Sequence, residues 1–74
     1  MVETQLQPPA WAPKVMELLA AQRREQRWLA AMIGVSAPYM TRLLNGERPA
    51  KAQHIAKIAA ALGIPVHWLQ EAQA

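Results

Sequence analysis

The chain contains no cysteine, which removes both a disulfide framework and a thiolate metal site. Its five acidic residues are all glutamates, scattered without the paired spacing that general acid–base chemistry uses. The two histidines, His54 and His67, have no cysteine or aspartate nearby to complete a ligand set, so neither a metal nor a cofactor is expected. Glycine occurs three times, too sparsely for a phosphate-cradling loop. No apolar run is long enough to cross a bilayer, and the opening MVETQLQPP lacks the basic and apolar parts of a secretory signal. Together these absences argue against catalysis and membrane insertion, with no catalytic residue to nominate and the cytoplasm as the expected location.

What is present is a chain of 74 residues, 53% hydrophobic, which fits one small domain with a modest core and is too short for a second domain with a cleft between. The net charge of +3 is unevenly placed. Arg23, Arg24, Arg27, Arg42, Arg48, Lys51 and Lys57 face only Glu25 and Glu47 in the middle segment, whereas elsewhere Lys14 stands against Glu3, Glu17 and Glu71. Clustered cations of this kind favour phosphate contact over an ordinary solvated face.

The same segment carries the clearest pattern, from Gln26 to Pro49. Leu29 and Ile33, then Met40, Leu43 and Leu44, fall at helical spacing broken once, at Gly34 and Val35, with Ala30 small where two helix axes would cross. Gly34 suits the positive φ that ends a helix, and Val35 turns back toward the core. Either Ser36 caps the next helix with its hydroxyl, or Ala37 is the cap and Pro38 the first helical residue. Two short helices joined this way place one of them in a DNA major groove.

Five helices are expected in all. Residues 1–12 read as an extended arm, since Pro8 and Pro9 resist helix. Pro13 opens helix one, which runs through Arg24 with Val15, Leu18, Leu19 and Gln22 on successive turns. Helix two spans Gln26 to Ile33 and helix three Ala37 to Leu44, closed by Asn45 and Gly46. Helix four runs from Lys51 to Leu62 with Ile55, Ile58, Ala59 and Leu62 inward; Gly63 ends it, and Pro65 starts a last helix through Gln70, before a tail at 71–74. Met16, Met32 and Met40 read as core fillers.

The order Gln26, Leu29, Ala30, Ile33, Gly34, Val35, Ser36, Tyr39, Met40, Arg42, Leu43, Asn45, Gly46 resembles the helix-turn-helix of the phage repressor/Cro family, the xenobiotic-response-element-like regulators. The resemblance continues through Pro49 and IAKIAAALGIPVHWL and covers about Val15 to Leu69. It implies an all-α, compact five-helix, lambda-repressor-like DNA-binding domain at residues 13–70, with the motif at about 26–45. Helix three would be the recognition helix, and the positions that meet base edges would be Ala37, Pro38, Thr41 and Arg42. Arg42 is the strongest of these, because a guanidinium pairs with guanine O6 and N7; pairing with Glu47 or a phosphate is its bland alternative. Ala37 and Pro38 depart from the polar readers common at their positions and offer only apolar contact to a thymine methyl.

By the same resemblance, Gln26 would bind a phosphate and help orient the recognition helix, with Arg27, Ser36, Tyr39, Asn45, Arg48 and Lys51 as further backbone contacts that set affinity rather than sequence. Asn45 serves equally well as a helix end. Leu19 and Leu44 match positions that in many relatives hold a buried ion pair, here replaced by apolar packing. His54 is expected to face solvent or DNA. Trp28 lies on the outer side of helix two, either as a contact surface or covered by Leu6, Pro8, Pro9 and Trp11 of the arm. Trp68 and Leu69 resemble the usual Trp-Leu of the fifth helix, part core and part dimer contact.

The expected function is sequence-specific binding of a double-stranded DNA operator by a homodimeric transcriptional regulator, a repressor of the Cro or immunity-repressor type, of phage or bacterial kind. With only EAQA after the domain, control is expected from concentration, a competing repressor or a partner protein. A protein-binding role on the same fold, as an antitoxin or adaptor using the arm and Trp28, is the alternative.

Overall fold

The structure, a computed structural model, describes residues 8–73 and the side chains of residues 8–70. Most of the expected arm, including Leu6, and the side chains of the expected tail lie outside the described residues. Five helices follow in order: α1 (Ala12–Ala21), α2 (Gln26–Ile33), α3 (Ala37–Asn45), α4 (Ala52–Leu62) and α5 (Val66–Gln73).

α2 begins and ends where the apolar spacing placed it. Gly34, at φ 80°, closes it in the left-handed region, and the Val35 N–H donates to Ala30 O at 3.0 Å. Ser36 settles the start of α3: its backbone is extended, its Oγ accepts from the Tyr39 N–H at 3.2 Å, and Pro38 sits inside the first turn where no N–H is needed. α4 starts one residue later than expected, because Lys51 is its cap.

Other boundaries differ more: α5 runs on to Gln73, so positions 71–73 are helix where a tail was expected, and both ends of α1 shift. α1 starts at Ala12, after a turn in which the Ala12 N–H donates to Pro9 O at 3.0 Å, and this turn delivers Trp11 into the core at 2% exposure. It also ends earlier than expected, at Ala21, because Arg23 takes the left-handed conformation at φ 55°. The Arg23 and Arg24 N–H groups then donate to Ala20 O and Leu19 O at 3.1 and 2.8 Å, the same closure that glycine provides for the next three helices.

The core draws on all five helices. α2 packs against α3 and α4, and α4 against α5. Val15 and Leu19 from α1, Leu29, Ala30 and Ile33 from α2, Met40, Leu43 and Leu44 from α3, Ile55, Ile58, Ala59 and Leu62 from α4, and Leu69 from α5 are all buried. Each larger aliphatic contributes about 1.5–3 kcal/mol by leaving water. Leu19 and Leu44 are core as expected, but two methionines are not: Met16 and Met32 are 41% and 56% exposed, and only Met40 fills the interior. Their unbranched side chains lie at the edges of their helices' inward stripes, where the spacing alone does not separate core from rim.

Candidate nucleic-acid interface

Burying Met40, Leu43 and Leu44 fixes the rotation of α3, so Ala37, Pro38, Thr41 and Arg42 are all exposed along its opposite side. The early part of this face is braced from α2. Thr41 Oγ1 donates within its own helix to Ala37 O at 3.2 Å and lies 3.4 Å from Gln26 Oε1, while Gln26 Nε2 reaches Met16 Sδ at 3.4 Å. Gln26 thus links α1, α2 and α3, with its amide oxygen toward α3 and its amide nitrogen toward α1. Arg42 makes no ion pair with Glu47 among the described residues.

Beside this bridge lies an open cleft of about 620 Å³ lined in part by Met16, Arg24, Glu25, Gln26, Arg27 and Thr41. Arg27 Nε pairs with Glu25 Oε2 at 2.6 Å, both side chains largely in solvent. Such a pair is worth about 0–1 kcal/mol, so a phosphate can displace the carboxylate at small cost.

The far end of α3 is held differently. Gly46, at φ 83°, closes the helix, and the Glu47 N–H donates to Arg42 O at 2.9 Å, so Asn45 is the last helical residue and Gly46 the left-handed cap. Asn45 at the end of the helix, and Arg48 and Lys51 on the loop that follows, are exposed. The Lys51 N–H donates to His54 Nδ1 at 3.2 Å, an anchor at the start of α4. His54 is therefore buried instead of facing solvent, and its ring meets that of half-buried Tyr39 edge-on at 5.9 Å. The sequence shows this role only in hindsight, as a polar residue at the third position of α4.

The aromatic candidates separate. Leu69 is wholly core, whereas its neighbour Trp68 is 43% exposed and has Lys14 Nζ 5.5 Å from its ring. Trp28 is half-buried, and the group over its ring is the Arg24 guanidinium at 3.9 Å; Trp11, expected as part of a cover, is in the core instead. Among the described residues no cluster of histidine and acid side chains forms a metal site, and no helix is long and apolar enough to cross a membrane.

Residues 15–69 match the family model described as helix-turn-helix. No curated protein is a significant match. Among solved structures the chain is similar to the restriction-modification controller protein C.AhdI from Aeromonas hydrophila, with a TM-score of 0.74 and 28% identity over 81% of this chain and 91% of that one. It shares its fold with the clp gene regulator ClgR from C. glutamicum, with a TM-score of 0.76 and 24% identity over 96% of this chain and 91% of that one. Family and similar structures alike are regulators rather than enzymes. With the motif, its five-helix setting and the family match in agreement, the chain belongs to the Cro/C1-type helix-turn-helix family of DNA-binding transcriptional regulators.

Proposed function

We propose that this regulator is a cytoplasmic repressor that binds a two-fold operator as a homodimer, with α3 as the reading helix. The observation that carries this is the exposed row Ala37, Pro38, Thr41 and Arg42 on a helix whose rotation is fixed by its buried side and whose outer face is braced by Gln26. Arg42 reads guanine through paired donors to O6 and N7, Thr41 contributes a methyl and a hydroxyl, and Ala37 and Pro38 admit a thymine methyl. Gln26, Arg27, Ser36, Tyr39, Asn45, Arg48 and Lys51 flank this row and hold the phosphates. Exposed Trp68 supplies part of the contact between copies, and the two reading helices then lie about one DNA turn, roughly 34 Å, apart. Occupancy of the operator excludes polymerase.

The test is selection of bound sequences from a random duplex pool at near-physiological salt, with Arg42→Ala in parallel. We expect a two-fold motif with half-sites about one turn apart, and loss of a guanine preference in the variant with a cost of about 1–3 kcal/mol at that position. Absence of any enriched motif overturns the reading of α3 as a sequence reader.

A further inference from the structure

Arg24 and Trp28 form a unit that neither the motif nor the family match explains. The guanidinium carbon of Arg24 lies 3.9 Å from the centroid of the Trp28 ring, well inside the distance at which a cation is held by an aromatic face. Trp28 is itself half-buried and packed against the core, so the ring is a fixed plate rather than a loose side chain. Arg24 also lines the cleft that Gln26, Arg27 and Thr41 share. A guanidinium held over a ring keeps its N–H donors directed outward in its own plane, where a tetrahedral anion can take two of them. The one acidic group among the cleft residues, Glu25, is already engaged by Arg27 at 2.6 Å.

We infer that Arg24 is a DNA-backbone contact, pre-positioned by Trp28, which takes a phosphate of the same strand that the Gln26 end of α2 approaches. Trp28 is a positioning residue: it touches no DNA and lowers the entropy lost when the arginine is immobilised. The inference rests on the proposed DNA-facing side of the domain, but not on sequence reading by α3.

The two are separated by titrating a mixed-sequence duplex at several salt concentrations with the wild type, Arg24→Ala, Arg24→Lys, Trp28→Leu and Arg42→Ala, the folded fraction of each being checked by circular dichroism. Arg24→Ala is expected to bind about tenfold more weakly, and the slope of log affinity against log salt to fall by about 0.9, one phosphate's share. Arg24→Lys keeps the charge and the slope but loses the flat, two-pronged geometry, so its affinity still falls. Trp28→Leu weakens binding roughly two- to fivefold at unchanged slope, the worth of an exposed cation–π contact. If the wild type binds and Arg24→Ala matches it in affinity and slope, the inference falls while the proposed repressor stands. If Arg24→Ala behaves as expected but no sequence is ever selected, the backbone contact stands and the sequence reader falls. A wild type that binds no duplex sinks both.

Discussion

Glu25 precedes Gln26 at the start of α2 and brings negative charge to a cleft otherwise lined by arginines, a glutamine, a threonine and apolar groups. Its partner Arg27 is paired with it at 2.6 Å. Replacing Glu25 by Gln frees that arginine and removes a carboxylate that a phosphate would have to approach. We expect duplex affinity to rise roughly two- to fivefold at low salt, by fluorescence anisotropy, with thermal stability unchanged within about 0.5 kcal/mol, because an exposed pair contributes little to folding. At this scale the sequence is a good guide where one helix face decides the outcome: the exposure of Pro38, Thr41 and Arg42 follows from the burial of Met40, Leu43 and Leu44. It is a poor guide to pairs formed across a turn. Arg24 meets Trp28 because the chain bends at Arg23 before α2 begins, and no periodicity carries that information.

At the scale of the element, the caps explain both what could be read and what could not. Gly34, Gly46 and Gly63 mark three helix ends in the sequence, and each adopts the left-handed backbone that glycine tolerates best. α1 ends by the same hydrogen-bond closure on Arg23 at φ 55°, where a side chain costs about 1–2 kcal/mol, so the helix was expected to run on to Arg24. Arg23→Gly relieves that strain. We expect its melting temperature to rise by roughly 4–8 °C for about 1 kcal/mol gained in a domain of this size, while duplex binding weakens through the lost cation. A fall in melting temperature would show that the arginine side chain contributes more in place than its backbone costs. The buried His54 was hidden for a related reason: its ring is anchored by the Lys51 N–H and by Tyr39, neither of which leaves a hydrophobic signature.

At the scale of the whole molecule, one core joins every helix, and α5 is attached through Leu69, whose side chain is fully buried. Leu69→Ala is expected to cost about 2–5 kcal/mol, a large part of the roughly 5–15 kcal/mol available to a small domain. The loss should appear as one earlier melting transition of the entire helical signal, not as a separate release of α5. Two transitions would show that the last helix folds apart from the rest.

The amide of Gln22 adds a tie of another kind, donating to Leu62 O at 3.0 Å across forty positions of chain. It fastens the bend that carries Arg23 and Arg24 to the final turn of α4, from which the chain passes into α5. The bend and the root of the last helix are thereby joined by a hydrogen bond as well as by the core. If, as proposed, a second copy settles on α5 and a duplex on the bend, each would meet a connection already ordered by the other. Under that proposal the coupling is a free energy, so a duplex would promote pairing of the protein by the same factor that pairing promotes grip on the duplex.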